Sequence, residues 1–567
     1  MTSFVKKIIC VCCVVVFSTC GAKVSADKVQ VLNQKPKVLY NKKSSSSGVR
    51  KVKQHKPKVS NKRKLSNSEE QKAKRLKMES KESNKRKLLD FEVPKSKRQK
   101  VEVKVSNKRK LSDFVVGKVK RQKTGSINGS YHSTDNGRIV VNVDEGVMKP
   151  INIALYVQDH SQSIKEKFLS VIENDLQGTG LFRAIPNAAF MQDLRGVDHI
   201  PTFQLWNTIN AEYLMNAEIR LVNGKFSVEF VLYDVSSSSK IRIFSVSGDS
   251  REWRKIAHKI SNAVYERIVG ETGYFDTKVL YVATERNKRG VKKYRLAIMD
   301  QDGYNHQYLT NGKTTVLTPR FSPNGDEFSF FAYREKIVNK RRVPLDAQIY
   351  RYDLRNGKMT RMLNLKGMNY APRYSPDGKN LIFSLSEKTR KGRVVSSIFR
   401  YDISNRKLVR VTDARKYICI DTSPCYSPDG KHIVFNSDRG GNQQLYIMDA
   451  DGSNIRRLSY GNGRYATPVW SPRGDWIAFT KFGKDGFFIG IIRPNDISGS
   501  TERMIAAGYL VEGPTWAPNG RVVMYSQQDY ARREKVYSVD ITGHNKRLVK
   551  TPGNAIDPEW SAKSSLD

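Results

Sequence analysis

Cysteine is nearly absent from the body of this chain. Of 567 residues six are Cys, and four of those, Cys10, Cys12, Cys13 and Cys20, lie in the first stretch of twenty. The remaining two, Cys419 and Cys425, cannot build a disulfide-rich scaffold, and no His or second Cys pair stands at metal-ligand spacing beside them. They could close one short loop in an oxidising compartment or remain as buried thiols, and the sequence leaves both readings open. Long apolar runs are also missing. The run Ile8 to Phe17 is too short to span a bilayer, which takes about 20 residues. Flanked by Lys6 and Lys7 and by Val24-Ser25-Ala26, it reads as an export leader over residues 1–26, cleaved after Ala26. The weaker alternatives are an uncleaved anchor and lipid attachment at Cys20.

Catalytic signatures are lacking too. There is no His-Glu-x-x-His pair, no Gly-x-Ser-x-Gly elbow and no phosphate-binding Walker loop, and none of the eight His sits beside a nucleophilic Ser or Cys. Peptidases that carry a propeller also need a hydrolase domain, for which residues 137–275 leave no room. The expectation is a protein that is not an enzyme, with no cofactor and no metal.

Acidic residues and aromatics are scarce between the leader and the rest. Residues 27–126 hold 33 Lys/Arg against 9 Asp/Glu, with Tyr40, Phe91 and Phe114 as the aromatics. Such a composition buries too little surface to offset chain entropy, so residues 27–136 are expected to be a disordered basic extension. It has its own repeat, Ser-Asn-Lys-Arg-Lys-Leu at Ser60, Ser83 and Ser106, spaced by 23. Its clusters resemble nuclear-targeting or nucleic-acid patches. Behind an export leader, nonspecific contact with anionic envelope surfaces is the favoured reading and nucleic acid a minor one.

What the chain has in abundance is one repeated phrase. Thr318–Gly325 (Thr-Pro-Arg-Phe-Ser-Pro-Asn-Gly) returns at Ala371–Gly378, Ser423–Gly430, Thr467–Gly474 and Gly513–Gly520, and in shortened form at Asp557–Ala562. The anchor prolines Pro319, Pro372, Pro424, Pro468, Pro514 and Pro558 are 44 to 53 residues apart. That period fits four short strands per unit, hence a propeller blade. Each turn precedes a β-prone run such as Asn380–Leu385, then a run ending in Asp (Ile349–Asp353, Ile398–Asp402, Leu445–Asp449, Val536–Asp540). Six copies predict a six-bladed propeller over residues 276–567. Lys278–Thr284, Arg295–Asp300 and Gln307–Thr310 form three strands with no anchor strand before them, and the last copy is an anchor strand with nothing after it. Pairing of Asp557–Ser561 with Val279–Ala283 is expected to close the ring and remove its open edges.

Residues 137–275 alternate strand and helix and predict a small α/β domain. Ile151–Val157 reads as a strand. Ser163–Leu176 and Arg251–Val269 carry apolar residues at helical spacing, among them Phe168, Ile172, Ile256 and Ile260. Leu181–Ile185, Tyr213–Val222, Phe226–Val235 and Lys240–Val246 predict a sheet, with Asn223-Gly224 as a hairpin turn.

The leader, the string Arg138–Val143 (Arg-Ile-Val-Val-Asn-Val), the α/β domain and the repeats together resemble the TolB family, the periplasmic component of the Tol-Pal envelope system. The resemblance covers residues 137–567, including Asp302-Gly303-Tyr304-Asn305 and Pro558-Glu559-Trp560-Ser561. It implies a noncatalytic, monomeric periplasmic adaptor that supports outer-membrane integrity and constriction during cell division. Proteins of this kind bind the lipoprotein Pal by the loops entering the anchor strands. The matching positions are Tyr370, Ala371, Pro372, Asp421, Thr422 and Ser423, with Thr467, Glu512 and Asp557 as further neighbours. They engage TolA through a segment ahead of the α/β domain, matched by Arg138, Ile139, Val140, Val141, Asn142 and Val143. Its alternating aliphatics suit adding a strand to a partner's sheet, and equally suit packing on its own domain. The chain departs from the family pattern in the basic extension before that segment and in Arg493-Pro494, which stand where other blades have Asp. The rival reading is an exported effector whose propeller meets a host partner and whose arm serves nucleic acid or nuclear import.

Overall fold

A computed structural model describes residues 132–134, 138–140 and 149–562, apart from 160–163, 289, 339–340, 366–368 and 485. The leader, almost all of residues 27–136, and Val141, Asn142 and Val143 lie outside the described residues.

The α/β domain is a five-stranded sheet in the order Phe182–Ala184, Ile151–Asp159, Tyr213–Val222, Lys225–Asp234, Ser239–Asp249. The first two pairings are parallel and the others antiparallel. Strand alternation sends Ile153, Leu155 and Val157 to one face and Ala154 and Tyr156 to the other. The first face is covered by the helices Lys165–Gly178 and Trp253–Val269, through Phe168, Ile172, Ile256 and Ile260. The second is covered by the short helix Phe203–Thr208, whose Trp206 is buried against Leu214 and Val231. Asp159 starts the first helix by accepting from the amides of Ile164 and Lys165 at 2.8 and 3.1 Å. Gly270, at φ +80°, ends the long one. Ahead of the domain, Arg138–Val140 pairs antiparallel with His132–Thr134 and runs beside the helix Trp253–Val269.

The remainder is six four-stranded antiparallel sheets, each with its strands in sequence order except the first. There Asn554–Trp560 pairs with Lys278–Arg286, in the register Asn554↔Thr284 to Trp560↔Val279. The expected closure is therefore present. Neighbouring innermost strands touch in a complete cycle, from Asn554–Trp560 through Thr315–Phe321, Asn369–Tyr374, Asp421–Tyr426, Arg464–Trp470 and Leu510–Trp516 back to the start.

Each innermost strand carries a β-bulge just before its anchor proline. The residue preceding the proline is left-handed in all six: Thr318, Ala371, Ser423, Thr467 and Asp557 at φ 47° to 54°, and Gly513 at 65°. Side-chain-bearing residues avoid this region. Its sixfold recurrence shows that the fold imposes it, with glycine used on the innermost strand Leu510–Trp516 alone of the six.

Two features were not foreseen. The second blade's hairpin Glu327–Val338/Arg341–Asp353 has strands of 12 and 13 residues, whereas the equivalent strands of the fourth blade have 6. In the fifth blade, Asp496 takes over the missing Asp's role, accepting from the amides of Ser498, Gly499 and Thr501. The two cysteines are free and buried. The disulfide reading is thus corrected in favour of thiols. The strand Asp421–Tyr426 extends between the two residues, and about 3.3 Å per residue carries Cys425 well beyond the ~7 Å Cα span a disulfide tolerates.

The α/β domain sits on the end of the propeller where the Ser-Pro-Asp-Gly turns and the third-to-fourth-strand turns lie. Glu271, just past the long helix, accepts from Arg521 Nη2 at 2.8 Å and Arg473 Nη1 at 3.0 Å, both on such turns. Asn545 Nδ2 donates to Gly178 O at 2.6 Å and Arg547 Nη2 to Asn174 Oδ1 at 2.8 Å. Burial alone would raise the Glu271 carboxyl, but the two guanidiniums outweigh it and hold it below the ordinary range. A carboxyl depressed on folding stabilises above its unfolded pKa of about 4.3 and loses that contribution as pH falls through the folded value. Glu271→Gln is therefore expected to flatten the acid limb of stability below about pH 4.3, read from thermal melts against wild type.

Candidate functional site: the loop face of the propeller

Antiparallel pairing places the loops between second and third strands, and those entering the innermost strands, at the end opposite the α/β domain. This loop face is where the residues matched to Pal binding lie. Tyr370, Pro372, Asp421, Thr422 and Ser423 are buried there, and only Ala371 is partly exposed. Asp421 has no exposed surface, and its carboxylate accepts from Arg439 Nη2 at 2.8 Å. Arg439 in turn lies over the rings of Phe435 and Tyr446. Thr422 Oγ1 accepts from Asn436 Nδ2 at 2.6 Å. These side chains shape the loops and fix the bulges. Of the further neighbours, Thr467 shares a 2.8 Å hydroxyl contact with Thr480, and Asp557 accepts from the Thr318 amide at 3.2 Å.

The side chains that reach solvent on this face are others. Tyr417 and Ile418 (57 and 49 % exposed) precede the fourth innermost strand, Tyr460 (46 %) the fifth and Tyr509 (48 %) the sixth, and Tyr530 (77 %) tips the hairpin of the last blade. Tyr509 and Tyr530 pack ring to ring at 4.7 Å. Exposed tyrosines on rigid loops are the anchors that protein interfaces favour, giving large buried area with few torsions to freeze. Sequence reasoning missed them because a loop tyrosine reads alike whether its ring points in or out.

The innermost strands share a charged cluster. Two residues past the left-handed position, Arg320 Nη1 and Arg373 Nη1 each lie 3.5 Å from Glu559, which also accepts from Thr515 Oγ1 at 3.3 Å. Burial lowers the Arg320 pKa despite the Glu559 carboxylate nearby.

A second polar cluster lies at the junction of the domains. His258 Nδ1 donates to Asp175 Oδ2 at 2.7 Å, and its Nε2 lies 3.9 Å from Asp302 on the first blade. Asp175, His258 and Asp302 together place three donor atoms within 4.8 Å of one another. Arg254 bonds Asp302, and Gln301 Nε2 donates to Asp175 Oδ1 at 3.0 Å. With a guanidinium already on one carboxylate, the arrangement is an ion-pair network joining the domains.

Comparison with known proteins agrees with this architecture. The TolB amino-terminal domain model matches residues 139–241 and the TolB beta propeller domain model residues 265–564. The Tol-Pal system protein TolB of Rickettsia conorii is 42% identical over 437 residues, covering 74% of this chain and 94% of that protein, and the protein of the same name from Rickettsia rickettsii matches equally. The crystal structure of TolB from Acinetobacter baumannii superimposes with a TM-score of 0.62 at 23% identity, over 73% of this chain and 98% of that one, which speaks for the fold. With both domain models matched in order and relatives at this identity, the chain belongs to the TolB family, the noncatalytic β-propeller component of the Tol-Pal system.

Proposed function

We propose that the protein is a periplasmic adaptor that binds Pal on the loop face of its propeller and a TolA-type partner through Arg138–Val143, coupling the layers of the envelope during constriction and preserving the outer membrane. The observation that carries this reading is the division of the propeller into two ends: one occupied by the α/β domain, the other offering the exposed tyrosines. The buried Tyr370, Asp421 and Ser423 hold the loops that present them. The export leader and the Tol-Pal family support the periplasmic location. The effector reading has no comparable support, since its nuclear-targeting motifs fall in the basic segment, outside the family-model matches.

Titration of the chain with the soluble domain of Pal tests the proposal. A one-to-one complex is expected, and Tyr509→Ala with Tyr530→Ala should weaken it by more than about 2 kcal/mol, the scale of an interface hot spot. No heat of binding to wild type would remove Pal from the account.

A further inference from the structure

Ile418 is the least expected residue on the loop face. Isoleucine is among the side chains most often buried, yet this one is 49% exposed. It also ends the short helix Ala414–Tyr417 in the left-handed conformation, at φ 52° and ψ 47°, a place that Gly or Asn normally fills. Among the described residues it is the one aliphatic β-branched side chain at positive φ, and it is not one of the six positions before the anchor prolines. The turn it makes is firmly held. Cys419 returns to a small core with Val395 and Ala414, its amide donating to Ala414 O at 3.2 Å, and the Ile420 amide donates to Asp438 Oδ1 at 2.7 Å. Beside Ile418, the ring of Tyr417 is 57% exposed and lies 5.5 Å from the Arg439 guanidinium. The two residues make a rigid apolar knob.

A basic turn rises beside the knob. Ser396 bridges Ile420 in parallel, which places the third blade's hairpin turn, residues 388–393, next to the loop bearing Tyr417 and Ile418. Lys388, Arg390, Lys391 and Arg393 are exposed there, as is Lys416. The carboxylates nearby are engaged: Glu387 by Arg410 at 2.6 Å and Asp413 by Arg415 at 2.7 Å. We infer that Tyr417 and Ile418 seat in an apolar pocket of the protein partner, rimmed by carboxylates that meet this turn. The inference rests on the reading of the loop face as the Pal-binding end, and it names the contact made there. Left-handed backbone costs a residue with a Cβ stability, and such strain gathers where side chains engage ligands. Leaving half of an Ile side chain in water returns none of that cost; a pocket on a partner does. Protein interfaces are apolar at the centre and polar at the rim, as this patch is. The knob is fixed by core contacts and hydrogen bonds, which suits a shaped pocket rather than a fluid bilayer.

The test is calorimetric titration of the full chain with the soluble domain of Pal, read together with melting curves. Ile418→Asn puts in a residue that tolerates the left-handed backbone and removes the apolar side chain. It is expected to raise the melting temperature while weakening binding at least about tenfold, a pairing that a structural role for Ile418 would not give. Ile497→Asn, at a residue 78% exposed on the opposite end, should bind within about twofold of wild type. Arg390→Gln/Lys391→Gln/Arg393→Gln should weaken binding at low salt, with the difference shrinking as ionic strength rises. A lower melting temperature for Ile418→Asn, or its failure to fold, would make the residue structural and overturn the inference. Wild-type affinity in either the Ile418 or the charge variant would overturn it too, while leaving the Pal reading intact. No binding by wild type would bring down both. Vesicles of phosphatidylglycerol are the counter-probe: if Ile418→Asn loses vesicle binding and keeps Pal binding, a bilayer takes the pocket's place and the inference is overturned.

Discussion

Trp560→Ala is expected to cost about 3–5 kcal/mol, the range for deleting a buried aromatic side chain, and to move the denaturant midpoint of the whole propeller. Trp560 is 5% exposed. Its indole NH donates to Thr277 Oγ1 at 2.8 Å, and its ring meets Tyr274 edge-on at 5.6 Å. It is also the last residue of the strand that pairs with Lys278–Arg286, so one side chain fastens the ring's seam and the segment leading from the α/β domain. The substitution leaves a cavity and takes the indole donor away from the Thr277 oxygen, which keeps its own bond to Tyr274 O at 2.6 Å, where the chain's two propeller ends meet. Trp560→Phe, which keeps most of the ring volume, should cost clearly less. A loss below about 1 kcal/mol for the alanine variant would mean the ring is held elsewhere.

Asp175→Ala should cost on a similar scale, about 3–5 kcal/mol, because it leaves a buried charge without its partner. The Asp175 side chain has no exposed surface and His258 only 3%. Burial disfavours the charged imidazole, but Asp175 and Asp302 outweigh it, and the His258 pKa lies above its ordinary value; Arg254, on the same helix, opposes the shift. A raised histidine stabilises fully below its unfolded pKa of about 6.5, and the contribution is lost as pH rises through the higher folded value. Wild type should therefore lose stability on that alkaline side, and the Asp175→Ala variant, already without the pairing, should show a flatter profile. Melts in a pH series through and above about 6.5 read both effects. Parallel profiles would deny His258 this role. Together with Glu271, which acts on the acid side, the junction is expected to be firmest between the two limits.

The ring was legible because its information is local and repeated. A proline, an aromatic and a small residue recur at nearly constant spacing, and the orphan strands at the two ends of the repeat region had only each other as partners. The α/β elements were legible from periodicity to within a few residues. The docking of the domains was not. Asp175, His258 and Asp302 lie far apart in the sequence, and nothing in their neighbours marks them as partners. The left-handed backbone before each anchor proline was equally hidden, since Thr, Ala, Ser and Asp stand where glycine would have announced it. At the candidate site, family matching reached buried positions of the loops entering the innermost strands, while the exposed side chains of that face, Tyr417, Tyr460, Tyr509 and Tyr530, depend on ring orientation that only the folded structure supplies. The long hairpin of the second blade escaped because its strands run past the length that the repeat period implies.

The central claim is that partners dock on the end of the propeller that the α/β domain leaves free. Hydrogen exchange on the complex with the Pal domain tests it most directly. The account predicts slowed exchange in the loops around Tyr417, Tyr460, Tyr509 and Tyr530, with the turns carrying Arg473, Arg521 and Asn545 unchanged. Protection confined to those turns, with the tyrosine loops exchanging as in the free protein, would contradict it.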